Sequence, residues 1–343
     1  MSPSVKWGML LILGAAAITG CCLVDDDIQN CGQDCELDYE MQLVTNMTAE
    51  LQTQLSLAAE VAVVPALHKQ LDPVFTDFAH DVNLSFYDVE GDSLRLHHER
   101  HVMDASETSY SLYIPVRSYM HLALANLEEN TGLRLEGDER CHTAVIREAD
   151  RDTLESHTIG LFTARHPIEM VEGKDQEFDV QLHMANCAAT LVLDTLGGHV
   201  RDIRVFGAGF ATEFCVADSS YRYRPGTVVR AIQASTEEGQ PLCFTTVSFP
   251  SRRATESKVV IDIDDPGEKA SVDECWQLRV YTRLADGSIT ESVLSVYQTL
   301  DPGHYRIVKA HLRYDGSAAT KDPDVGVSIT TRWVPGMSVD VPL

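Results

Sequence analysis

Basic side chains are what this sequence most lacks. Its 27 lysines and arginines face 52 aspartates and glutamates, a formal charge of −25, and none of those bases falls between Cys21 and Lys69. A chain of this charge repels phosphate backbones and anionic lipid heads, which excludes nucleic acid as an electrostatic partner. Long apolar runs are missing as well. The stretch from Trp7 to Ile18 is roughly a dozen residues, short of the ~20 that cross a bilayer as a helix. Tryptophan is scarce: beyond Trp7 there are only Trp276 and Trp333. Both lie in strand-like runs and are expected in the core, so few rings remain for stacking on sugars. There is no G-x-S-x-G, no P-loop and no paired-carboxylate signature. Gly207-Ala208-Gly209 lacks the third glycine and the following helix of a dinucleotide fingerprint. Neither an enzyme nor a cofactor is expected.

What is present is ordinary globular material. Hydrophobic residues make up 44% and charged residues 23% of 343 positions, enough for about two domains with real cores. The acid is unevenly spread: residues 21–172 hold 29 acids and 9 bases, residues 173–343 hold 23 and 17. Within the second part, Arg201, Arg204, Arg222, Arg224 and Arg230 cluster in sequence. They form either a patch for an acidic partner or interspersed surface charge.

Residues 1–20 read as an export signal: Lys6, the apolar run, then small residues. The run ends Ile18-Thr19-Gly20-Cys21, the pattern of a lipoprotein signal in which the Cys21 thiol is acylated and the chain is cut before it. Each buried methylene of such a chain contributes about 0.8 kcal/mol, so several acyl chains make a firm anchor. Asp25, Asp26 and Asp27 follow, resembling a surface-export signal of some Gram-negative lipoproteins; a solvated spacer is the alternative.

An exported chain meets an oxidising compartment, where Cys22, Cys31, Cys35, Cys141, Cys187, Cys215, Cys243 and Cys275 could form bridges or stay as buried thiols. Cys31 and Cys35 have no second pair at zinc-ligand spacing. His97-His98-Glu99-Arg100-His101 is not the zinc-protease motif, because only one residue separates Glu99 from His101. On a strand, His97, Glu99 and His101 share a solvated face. Asp262-x-Asp264-x-x-Gly267 is only loosely like a calcium loop and reads as a tight turn. No metal is expected.

Period-two alternation dominates the rest. It runs through Val82, Leu84 and Phe86, Leu112 and Ile114, Val180 and Leu182, Leu191 and Leu193, and Ile261 and Ile263. Leu278 and Val280, then Val325, Val327 and Ile329, and finally Val339 and Val341 continue it. Turn signals such as Asp286-Gly287, Asp301-Pro302-Gly303 and Asp315-Gly316 fall between. The class is all-β, built from antiparallel sandwiches or barrels. One helix is expected over residues 48–62, bounded by Pro65. Charge at Glu172–Glu177 marks a junction. The expected order is a signal peptide (1–20), an acidic tether (21–34) and two bodies (35–174 and 175–343). Ile114 before Tyr119 and Leu300 before Tyr305 echo one another across the two bodies.

These motifs resemble the fimbrillin-type pilus proteins, in particular their minor-subunit or anchor branch. The matching stretches begin with Cys21 before Asp26-Asp27-Ile28-Gln29-Asn30-Cys31. Phe75-x-x-Phe78-x-x-Asp81-Val82-x-Leu84-x-Phe86-x-Asp88 follows, then Ile114-Pro115 through Tyr119 with Asn126. Leu300-Asp301-Pro302-Gly303-His304-Tyr305, Val325-Gly326-Val327-Ser328-Ile329 and Trp333-x-Pro335-Gly336 complete the set. Arg117-Ser118 departs from it, standing where a glycine-containing turn belongs.

The resemblance implies two tandem transthyretin-like β-sandwiches with a short helix in the first. It also implies a surface lipoprotein held in the outer membrane by its N-terminal lipid, attaching fimbrial shaft subunits. A lipidated tip adhesin and a glycan-binding surface lipoprotein are the rivals. In the resembled pili a trypsin-like protease removes an N-terminal strand from shaft subunits. The base-free stretch after Cys21 offers it no site, so this chain is expected to keep that strand. Its end, with Val339 and Val341, either docks as a strand on a partner or completes its own sandwich.

Overall fold

The computed structural model describes residues 34–44, 63–75, 79–102, 109–172, 176–194, 200–234, 240–253 and 274–332. Strand dominates them, in four sheets. The largest runs β3 (Arg95–Val102), β2 (Asp81–Asp88), β5 (Ser118–Ala125), β9 (Phe162–Glu169), β10 (Gln176–Met184), β1 (Asp34–Val44) and β4 (Ser109–Pro115) from edge to edge. It folds over on itself. β9 and β10 share only two paired positions, and Tyr39 on β1 touches His121 on β5 at 2.7 Å although two strands stand between them in the order. Side chains from both halves therefore meet in one core, with Leu37, Val82, Leu84, Phe86, Ile114 and Leu182 all fully buried.

The second unit is a sandwich of two sheets. One runs β16 (Ile232–Gln233), β17 (Leu242–Ser248), β11 (Cys187–Asp194), β20 (Tyr305–Leu312) and β21 (Ala318–Ala319). The other runs β22 (Val325–Arg332), β19 (Ile289–Val296), β18 (Trp276–Leu284), β12 (Val200–Ala208), β15 (Val228–Arg230) and β8 (Thr153–Glu155). Leu191, Leu193, Val280, Leu294 and Val308 fill the space between them. Trp276 is buried there as expected, its indole N–H donating to Gln298 O at 3.0 Å. The end of β12 presses on it closely: a Cβ on Gly209, whose φ is +88°, would lie 2.9 Å from Trp276 Cα. Close approach, not nucleotide binding, accounts for that glycine.

β11 is buried on both faces. Ala188 and Val192 look into the first core, Cys187, Ala189, Leu191 and Leu193 into the second, which is why its sequence is a nearly unbroken apolar run. Helix α1 (Val64–Leu71) packs against the first of these faces, burying Leu67 and Leu71 one turn apart. It has eight residues and no side-chain cap, too little to persist alone. Two buried leucines, at about 1.5–3 kcal/mol each, hold it. The range 48–62, where a helix was expected, lies outside the described residues. Pro65, read as its bound, occupies the first turn of α1, where a missing N–H costs nothing.

A fourth sheet, β14 (Ser220–Arg222), β13 (Glu213–Cys215), β7 (Val145–Glu148) and β6 (Leu133–Glu136), draws on both halves of the sequence. It lies on the outer face of the first sheet, covering Tyr87, Leu122 and Leu124 with Leu133, Ile146, Phe214 and Phe249. In exchange, β8 extends a sheet of the second unit by pairing with β15.

Not every pair is antiparallel, contrary to expectation. β1 lies parallel to β10 and β11 parallel to β20, because each unit returns a late strand beside its first one. Other pairings repeat between the units: β2 with β5 and β5 with β9 match β12 with β18 and β18 with β19. On this correspondence Tyr119, at the start of β5, is matched by Trp276 at the start of β18. The echo drawn between Tyr119 and Tyr305 thus joins strands that are not equivalent.

Candidate functional site

The chain passes from the first sheet to the second unit at Ala185-Asn186, between β10 and β11. The boundary expected after residue 174 lies one strand ahead of this crossover. Asn186 is fully buried. Its Oδ1 accepts from Leu161 N at 3.2 Å and its Nδ2 donates to Ile159 O at 3.1 Å, which fixes the orientation of the amide. The same Nδ2 lies 3.3 Å from His157 Nδ1. That nitrogen is therefore the acceptor, and His157 Nε2 donates to Glu148 Oε1 at 2.6 Å. Asn126 and Asn130 complete the set. Asn126 Nδ2 donates to Gly160 O, and Asn130 Oδ1 accepts from Thr158 N. Three buried asparagines thus satisfy the backbone of 158–161, a loop that could not otherwise be buried.

Beside this junction lies a cleft of about 410 Å³. Its first wall follows from strand alternation. Phe162, Ala164, Leu182 and Met184 point into the first core, so Thr163, Arg165, Gln181 and His183 face outward where β9 and β10 part. The second unit supplies Tyr221, Tyr223, Ser251, Arg253 and Asp301. Tyr221 OH donates to Ala185 O at 2.8 Å and Tyr223 OH to Ser251 O at 2.9 Å. Burial raises both phenols above their ordinary pKa.

Cys21, Asp25, Asp26, Asp27, Val339 and Val341 lie outside the described residues, as do Trp333, Ile261 and the Asp262–Gly267 run. The histidine cluster sits on β3 at the sheet edge. Glu99 bridges His97 (2.9 Å) and His101 (3.0 Å) on one part-exposed face, as the alternation implied. Among the described residues no group of histidine, cysteine and carboxylate side chains is placed to hold a metal. Four of the five clustered arginines pair with carboxylates of this chain. Arg204 pairs with Asp202, Arg222 with Glu213, Arg224 with Asp150 and Arg230 with Glu155. The last two reach acids of the first half, so part of the acidic partner is the chain itself.

Cys141, Cys187, Cys215, Cys243 and Cys275 are buried free thiols. Burial pushes Cys141, Cys187 and Cys275 up, away from the reactive thiolate. The cleft residues went unnoticed in the sequence because they come from segments up to 139 positions apart, Thr163 to Pro302. Within β9, the outward alternation of Arg165 was the one local sign.

No family model and no curated protein matches the chain. Solved structures do. A candidate adhesin from Bacteroides ovatus superposes at a TM-score of 0.53 and 12% identity, over 89% of this chain and 98% of that one. A candidate polysaccharide-binding protein from Bacteroides thetaiotaomicron gives 0.50 and 10%, over 88% and 99%. The fimbrial anchor protein of Porphyromonas gingivalis overlays 87% of this chain and 97% of its own at 11% identity and a TM-score of 0.46. At these identities what is shared is architecture: the chain has the fold of these candidate adhesin and polysaccharide-binding structures.

Proposed function

We propose that this chain is an outer-membrane surface lipoprotein, acylated at Cys21, that serves as anchor or minor subunit of a fimbrium and attaches shaft subunits to the cell. The observation that carries this is the seat of β1. It is hydrogen-bonded along both edges, over eight positions to β10 and seven to β4. It also belongs to the base-free stretch that follows Cys21. A trypsin-like protease has no site with which to part β1 from the lipid, so the first sheet keeps its own strand and stays tethered. The shared fold with candidate adhesins supports an extracellular role. The repeated strand pairing supports two transthyretin-like sandwiches in tandem. Asp25, Asp26 and Asp27 would direct display on the surface, and Val339 and Val341 would dock on the shaft.

Fractionation of cells with and without substitution tests the reading. Cys21→Ala should abolish acyl labelling and release the protein from membranes; a variant that stays fully membrane-bound places the tether elsewhere. In the same cells, removal of residues 337–343 should leave surface level normal and abolish pilus attachment. Normal attachment rules out docking through this end. The rival reading, a tip adhesin, is favoured by the cleft between the units.

A further inference from the structure

The chain has nearly twice as many acids as bases, yet only about half of its arginines pair with a carboxylate among the described residues. Among the described residues Arg165 and Arg253 have no such partner, and both line the same cleft, with His166 and His183 beside them and Asp301 as its one acid. The cleft is thus locally cationic on a strongly anionic molecule. Long-range attraction does not explain this, since the overall field repels anions. A short-range contact with a ligand's negative group does, because a guanidinium fork matches a carboxylate in two parallel hydrogen bonds.

The other walls describe the rest of the ligand. A volume of about 410 Å³ lies within the range of small-molecule sites, roughly 300–1,000 Å³, and far exceeds what one inorganic anion fills. Tyr221 and Tyr223 are pinned through their hydroxyls, and the Arg252 guanidinium lies 5.9 Å from the centre of the Tyr223 ring. Held in this way, the rings lose little freedom when a ligand arrives, which is what preorganised recognition requires. Gln181 and Asp301 supply an amide and a carboxylate for hydroxyl groups. Cation, fixed rings and hydroxyl partners together match a sugar that carries an acid.

We propose that the cleft between the two units binds a carboxylate-bearing oligosaccharide, with Arg165 and Arg253 taking the carboxylate and Tyr221 and Tyr223 bounding the sugar rings. The site rests on neither Cys21 nor the anchor reading, so its failure leaves that reading standing. Calorimetric titration of the solubilised full chain tests it, using trimers of galacturonate, glucuronate and mannuronate, with maltotriose as the neutral control. At least one uronate trimer should bind, maltotriose should not, and affinity should fall as salt is raised. Arg165→Gln should weaken binding tenfold or more while Arg165→Lys retains part of it. Both side chains are exposed, so an unchanged circular dichroism spectrum and thermal midpoint confirm the fold. Three results would each overturn the proposal: no binding of any uronate trimer, equal affinity of Arg165→Gln and the parent, or equal binding of acetate, phosphate or a polyglutamate peptide.

Discussion

His121 sits in the first core with both ring nitrogens engaged. Nε2 accepts from Tyr39 OH, Nδ1–H donates to Ser85 O at 3.2 Å, and the ring stacks on Phe86 at 4.4 Å. No acceptor remains for a second proton. Burial, outweighing the bond to Ser85 O, lowers its pKa to about 3. An unfolded histidine takes up a proton near pH 6.5. Below that pH the unfolded chain binds the extra proton and the native one does not, so stability falls, by up to roughly 1.4 kcal/mol per pH unit, until about pH 3. Urea unfolding between pH 7 and 4 should show this loss. His121→Gln keeps an acceptor for Tyr39 without titrating and should flatten the curve; an unchanged slope would assign the acid sensitivity elsewhere. Such a role was not legible beforehand, since nothing about His121 in the sequence distinguishes it from His97 or His101 on the open face of β3. The five clustered arginines were legible as charge, but the partners of Arg224 and Arg230, Asp150 and Glu155 in the other half, appear only once β8 lies beside β15.

At the scale of the element, alternation located the strands well and their surroundings poorly. In β2 the inward set Val82, Leu84 and Phe86 was correct, yet Ser85 and Tyr87, expected outside, are buried as well. The fourth sheet covers them, and its strands of three and four residues are too short to leave a periodic signal. β22 shows the opposite: Val327 and Ile329 alternate as a core face would, but both stay substantially exposed at a sheet edge. Pro65, read as the bound of a helix over 48–62, stands in the first turn of α1, a place that proline also marks. The central place of β1 carries a clear expectation. Asp38 is exposed, and its backbone lies between Glu177 and Ser111. Asp38→Pro should cost about 3 kcal/mol or more through lost ladder bonds and ring clash, whereas Asp38→Ala should stay within about 0.5 kcal/mol. Chemical denaturation of the two side by side separates backbone from side chain.

For the whole molecule, the interlocked sheets outweigh the tandem plan. β13 and β14 complete a sheet over the first unit, and β8 extends one in the second. The third apolar cluster takes Leu122 and Ile146 from one half and Phe214 and Phe249 from the other. Residues 21–185 and 186–343 made separately should each fail to fold, and the intact chain should melt in a single calorimetric transition. Two transitions, or a cooperatively folded half, would mean that the units are independent. The parallel pairing of β1 with β10 has a mechanical consequence. A pull that enters at Asp34 and is resisted beyond Met184 draws the two strands past one another along their length. Every rung of the ladder is then strained at once, whereas an antiparallel hairpin pulled at its open end peels apart rung by rung. β11 and β20 repeat the arrangement. A force applied along these strands would find each unit braced in shear, yielding at a rate set by one concerted rupture.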